Sequence, residues 1–204
     1  MGNRASVSKH SPPKAPFLRL TSQRERLKVQ NYISLLKDYN THTNIYSAKA
    51  YDHLPFHIEN CDILASLIDQ PQTIVDMGSG SGLPAIILAI CLPQSRVYAI
   101  ESKRRKTRFL DHVKDALSLA NLTILNEDVN DVIRSQTLQP TTITAKAFAP
   151  YDKVIKISHK LAIKGTFLYI PISQSQHDIL APLNRPELTL LNPKPGHYFL
   201  KRQF

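Results

Sequence analysis

Residues 75–84 read VDMGSGSGLP, and no other stretch constrains the chain as tightly. Gly78, Gly80 and Gly82 alternate directly after the apolar run TIVDM. The 204 residues contain six glycines, so half of them stand here. Glycine weakens strands and helices and is kept where the backbone turns tightly or is closely approached. The apolar run LPAIILAICL follows, with Pro84 where a first helical turn tolerates proline. Strand, glycine turn and helix form the unit at which parallel sheets receive ligands, with free helix N–H groups suited to an anion.

The surrounding pattern places that unit in an α/β sheet. TIVDM, RVYAIE, LTILNED, TITAKAF and GTFLYIPI read as strands, with LTLLNP and HYFLKRQ as two final ones around PKPG. Helices are expected at 83–92, at 103–120 with Phe109, Leu110, Val113, Ala116 and Leu117 inward, and at about 152–162. Strands alternating with helices imply parallel crossovers and a sheet covered on both faces. Ahead of Pro71 the chain is helical. One helix follows a cap at Thr21 or Ser22, with Leu27, Val29, Ile33, Leu35 and Leu36 inward, and a second spans HIENCDILASLID. The expected organisation is a disordered basic tail over 1–20, a helical extension over 21–70 and a Rossmann-like domain over 71–204, with one globular unit from 21. The tail also fits two loose addresses, N-myristoylation at Gly2 and an acid-free mitochondrial presequence.

Two ligand classes compete for the glycine turn. A dinucleotide fingerprint, G-x-G-x-x-G/A, fits poorly: its last position is Leu83 when counted from Gly78. The spacing acid-x-G-x-G-x-G fits, with Asp76 as the acid. That is the S-adenosylmethionine pattern of class I methyltransferases, which the chain resembles. Glu101 ends the next strand about twenty residues on, where such folds place an acid on ribose hydroxyls.

The acceptor narrows by exclusion. No Asn/Asp-Pro-Pro-aromatic turn follows the fourth strand, where AKAFAP stands, so an exocyclic base amine is disfavoured. Cys61 and Cys91 lack the setting of a cytosine carbon-5 nucleophile. A ring nitrogen such as guanine N7 loses no proton on attack and demands chiefly alignment.

The whole pattern is similar to the RsmG (GidB) family, guanine-N7 methyltransferases of small-subunit ribosomal RNA. The resemblance covers roughly residues 25–170. It runs through YNTHTNIYS (Asn40, Asn44), HIENC (His57), VDMGSGSGLP, ESKRRKTRFL (Arg105, Lys106) and AKAFA, where Lys146 stands on the family's arginine. The chain departs from the family at Ala85, where Gly is usual, and at YIPIS, where Pro171 stands in place of a Leu-Lys-Gly. The resemblance implies a mainly parallel seven-stranded sheet behind a helical N-terminal extension. It implies S-adenosylmethionine held by Asp76, Gly78, Gly80, Gly82, Leu83, Glu101, Asp128 and Val129. Lys146 is the implied catalytic residue, set on the target nucleotide or its phosphate.

A net charge of +10 and a pI near 9.7 favour a polyanionic partner. Arg105, Lys106, Arg108, Lys146 and His57 are the expected RNA contacts. KRRKTR gathers five cations at a helix start, where the dipole disfavours them, and a polyanion would compensate. The expected partner is small-subunit rRNA or the 30S-type subunit, bound by a monomer with no metal and no stable membrane association. Two cysteines without CxxC spacing suit a reducing compartment, the cytoplasm, with a mitochondrial matrix or myristoylated location as minor alternatives. A catalytically inactive rRNA-binding assembly factor with the same fold, and a methyltransferase acting on protein, remain as alternative readings.

Overall fold

The run expected as the first strand is β1, Thr73–Met77. It lies in a seven-stranded sheet with β2 (Arg96–Ile100), β3 (Leu122–Leu125), β4 (Thr142–Thr144), β5 (Phe167–Ile172), β6 (Thr189–Lys194) and β7 (His197–Gln203). The order is β3-β2-β1-β4-β5-β7-β6. β1 to β5 pair in parallel, and β7 enters antiparallel between β5 and β6. The structure is a computed structural model that describes residues 20, 22–69, 72–183 and 185–204, and of Ala48 the backbone alone. The tail expected over residues 1–19, the cap at Thr21 and the break at Pro71 lie outside the described residues.

Strand alternation divides the core in two. Ile74, Val97 and Leu122 face α1 (Gln23–Asn40), α2 (Leu54–Ser66), α3 (Ala85–Cys91) and α4 (Arg104–Ala116). Val75, Met77, Ile143 and Leu168 face the opposite side, with α5 (Val129–Ser135), α6 (Tyr151–Leu161) and α7 (Gln174–Leu180). Every residue of α3 is buried, as befits a helix wedged between the sheet and the N-terminal helices. The class of sheet and the helical extension are those expected.

Local details differ from expectation. α5 and α7 are helices that alternation of strands did not reveal, both of seven residues and both capped by a side chain, Asp128 and Ser173. β4 ends at Thr144, so Lys146 lies in the loop beyond the strand. Ala116 faces solvent. Leu20, assigned to the tail, packs on the core and donates its N–H to Asp62 Oδ1 at 3.1 Å.

α1 starts with a full capping box. Ser22 Oγ accepts the Glu25 N–H at 3.1 Å, and Glu25 Oε2 accepts the Ser22 N–H at 3.0 Å. Its inward face is Val29, Tyr32 and Leu36, whereas Leu27 is 50% exposed. Tyr32, wholly buried, was missed because its ring counts as amphipathic in a periodicity reading. Its Oη donates to the Ser81 carbonyl at 2.9 Å, which ties α1 to the glycine turn. Tyr32→Phe is expected to lower unfolding free energy by about 1–3 kcal/mol, because a carbonyl is left without its donor. Urea denaturation of the two proteins measures this, and equal midpoints would refute the tie.

Candidate active site

At the end of β1 the backbone folds back across β2. The N–H groups of Gly78 and Ser79 both donate to the Ile100 carbonyl, at 2.9 and 3.0 Å. Gly78 has φ +69°, and a Cβ there would run into the ring of Phe148. Gly82 has φ +97°, and a Cβ would lie 2.8 Å from Ile86 Cγ1 and 3.0 Å from Leu110 Cδ2. Part of the close approach read from the sequence is therefore the protein's own packing. Leu83, buried beside these contacts, belongs to the core between sheet and helices. Ala85 is also fully buried in that core and lines neither cleft described below, so the Gly-to-Ala departure leaves both unobstructed.

Asp76 precedes the turn and is wholly buried. Its cross-strand neighbours are the small Ala99 on β2 and Thr144 on β4. Thr144 Oγ1 donates to Asp76 Oδ1 at 3.0 Å, while Oδ2 has no hydrogen-bond partner among the described residues. Burial pushes the carboxyl up to about 6, against the pull of Ser79, Thr144, the Ala85 backbone and Lys146. An enclosed carboxylate oxygen lacking a donor calls for a cationic or N–H-bearing group. The ammonium end of S-adenosylmethionine is such a group, and Asp76 itself lines neither of the clefts described below.

Glu101 is buried at the end of β2. Its Oε2 accepts the Gly80 N–H at 3.0 Å, and its Oε1 accepts the Lys103 N–H at 2.8 Å. Glu101 thus clamps the glycine turn to the start of α4. Each oxygen keeps a further lone pair for an incoming hydroxyl. It borders a cleft of about 290 Å³ with Gly78, Ile100, Asp128, Val129 and Phe148. Asp128 caps α5, accepting the Asn130 N–H at 2.8 Å, which holds its carboxyl below the usual range. Gly78, Glu101, Asp128 and Val129 are thus brought together around one cleft, whereas Gly80, Gly82 and Leu83 shape the turn behind it.

A second cleft, of about 370 Å³, adjoins the first. Its walls include Phe56, His57, Asn60, Lys146, Tyr151 and Pro171, and the two clefts share Ala147. Ala147 takes φ +53°, a strained value for a residue with a Cβ, found most often at functional loops. Tyr46 Oη and His57 Nδ1 are hydrogen-bonded at 2.6 Å. Burial, and then Lys146, lower the His57 pKa to about 4, so the ring is neutral at physiological pH. Asn40 builds this corner: its Oδ1 accepts the N–H groups of Ile45 and Tyr46, and its Nδ2 donates to the Tyr46 carbonyl. The sequence singled out Asn40 and gave no reason for it; the reason is this loop.

The cations of α4 divide. Arg105 and Arg108 are exposed, whereas Lys106 turns inward to stand 3.9 Å from Glu101 Oε2 and beside the first cleft. Among the described residues no cluster of His, Cys, Asp or Glu is arranged to hold a metal, and no helix is long and apolar enough to cross a membrane.

The strand order, with its antiparallel β7, and the glycine turn after β1 are those of a class I S-adenosylmethionine-dependent methyltransferase fold. Solved structures share it. Cofactor-bound Rv0187 from MTB superposes with a TM-score of 0.62 over 95% of this chain and 98% of its own, at 15% identity. An rRNA methylase from Streptococcus thermophilus superposes at 0.51 over 73% and 95%, at 16% identity. Sequence comparison is narrower. The family described as rRNA small subunit methyltransferase G matches residues 25–191. Ribosomal RNA small subunit methyltransferase G of Brachyspira hyodysenteriae is 34% identical over 72% of this chain and 71% of its own. The namesake from Acidothermus cellulolyticus is 36% identical over 62% and 59%. The chain belongs to the rRNA small subunit methyltransferase G family.

Two outcomes follow from this geometry. Gly78→Ala is expected to destabilise the protein by about 1–3 kcal/mol, through a positive φ and displacement of Phe148, read as a lower thermal midpoint. For Asp76, the folded pKa of about 6 lies above the ordinary 3.8, so the folded state holds a proton that the unfolded state has released. Stability therefore falls as pH rises from 3.8 to about 6 and is level above. Asp76→Asn cannot ionise, so its stability relative to the parent is expected to rise over that window. Urea titrations at low and neutral pH test this, and a pH-independent difference would contradict it.

Proposed function

We propose that the protein transfers a methyl group from S-adenosylmethionine to N7 of a guanine in small-subunit ribosomal RNA. The single observation that carries the reading is the meeting of two clefts at Ala147, one walled by acids suited to a nucleoside, the other by Lys146 and His57. Family membership supplies the substrate class. When bound, S-adenosylmethionine supplies an electrophilic methyl group. Glu101 offers its lone pairs to the ribose hydroxyls, Asp128 and Val129 border the adenine, and Asp76 receives the ammonium.

Guanine N7 presents a free lone pair, so no residue of the chain has to remove a proton. The protein's contribution is alignment and exclusion of water. Lys146 holds the target nucleotide through its phosphate, and neutral His57 lines the same wall without adding a second charge. Lysine in the place of an arginine keeps the charge and gives up the bidentate fork. Arg105 and Arg108, exposed on α4, contact backbone phosphates, which position the RNA without reading its sequence. The protein acts in the cytoplasm as a monomer and without a metal.

Incubation with labelled S-adenosylmethionine and undermethylated small subunits, followed by strand scission at N7-methylguanine, is expected to show one modified site. Cofactor binding without transfer to any rRNA would refute the activity. Charge reversal at Arg105 and Arg108 together is expected to weaken subunit binding and shrink the slope of log affinity against log salt by about 1.5–2. Filter binding across a salt series measures this, and an unchanged slope would remove α4 from the RNA face.

A further inference from the structure

Phe56 is a large apolar side chain left 43% exposed, on α2 at the edge of the second cleft. One face of its ring is covered by His197 of β7, with centroids 4.6 Å apart and planes 19° from parallel. His197 is itself buried, and its Nε2 lies 3.3 Å from Glu59 Oε2. Burial lowers the pKa of His197, which keeps the supporting ring neutral. Glu59 is further paired with Lys194 of β6. Phe56 is thus a flat ring backed by a second, anchored ring, with the acid beneath it already neutralised.

The surroundings specify what such a ring receives. The cleft it borders is mixed: His57, Asn60, Lys146 and Gln176 stand among small or branched apolar residues and Tyr151. Among the described residues, Phe56 is the one large hydrophobic of this cleft left exposed, and a single exposed ring is too small an apolar area for a lipid surface or a protein interface. A base needs one π-face to stack on and a cation for its phosphate, and Phe56 and Lys146 supply both on one cleft. The net charge of +10 has the matching sign for a nucleic acid.

We propose that Phe56, supported by His197, is a stacking platform for an unpaired nucleobase of the RNA substrate, next to the nucleotide held by Lys146. The inference rests on the RNA reading above and adds a contact that charge and family do not assign.

The chain contains no tryptophan, so Phe56→Trp introduces a single indole at the platform. Its emission is expected to be quenched by a short unpaired RNA and much less by the same RNA in a duplex. Phe56→Leu keeps apolar bulk and loses the π-face. It is expected to bind small subunits about tenfold more weakly, the lower part of the range for one stacked base. Phe56→Tyr is expected to restore binding, and all three variants are expected to keep the parent's thermal midpoint and S-adenosylmethionine affinity. Unquenched indole emission in the presence of bound RNA, or a Phe56→Leu variant that binds like the parent, would overturn the platform while methyl transfer by the parent stands. A parent protein that neither binds nor methylates subunits would overturn the RNA reading and the platform with it.

Discussion

The glycine turn at the centre of the site starts from one buried carboxylate. Asp76 ends β1 with no solvent exposure, one oxygen on Thr144 and the other without a partner. Burying a half-paired acid is unfavourable, and the chain surrounds it with means of tolerating it. Ala99 on β2 leaves room and Thr144 on β4 supplies a donor, so a residue on each flanking strand accommodates it. The glycine turn then bends back over Ile100 and is clamped from the other side by Glu101. Of the two carboxylates at the ends of neighbouring strands, Glu101 holds the turn through the Gly80 N–H, while Asp76 is bonded to Thr144 beneath its start.

The N-terminal helices extend this arrangement to a second cleft. Tyr32 of α1 bonds the glycine turn directly, so the extension is part of the site's support as well as its cover. α2 carries Phe56, His57 and Asn60 to the cleft that Lys146 also lines. The β6–β7 hairpin braces α2 through His197 and Lys194, both paired with Glu59. The first cleft is lined from the carboxyl ends of β1 to β4, and the second by α2 together with the loop after β4 and the end of β5.

Much of this was legible in the sequence, for definable reasons. β1 and α3 are apolar runs separated by the glycine turn, and the acid before the turn stands at a spacing few ligands require. The parallel order followed from alternation of strands and helices. Contacts between distant residues were not legible. Nothing in the spacing of Tyr32 and Ser81 announces their bond, and the Phe148 ring over Gly78 depends on a strained loop 70 residues away. Lys106 reads as one of five equivalent cations, yet helix rotation turns it toward Glu101 while Arg105 and Arg108 face water. The short helices α5 and α7 carry too few turns for periodicity to register, although Asp128 and Ser173 are recognisable caps.

The central claim is that the open oxygen of Asp76 is completed by the ammonium of S-adenosylmethionine. With its carboxyl pushed up to about 6, Asp76 is partly protonated just below neutral pH, and an arriving cation would expel that proton. Calorimetry of S-adenosylmethionine binding in buffers of different ionisation enthalpy, at about pH 6, reads the exchange directly. The predicted result is release of a fraction of a proton per cofactor bound, diminishing as pH rises and absent in Asp76→Asn. Tight binding with no proton exchange, or the same release from Asp76→Asn, would contradict it.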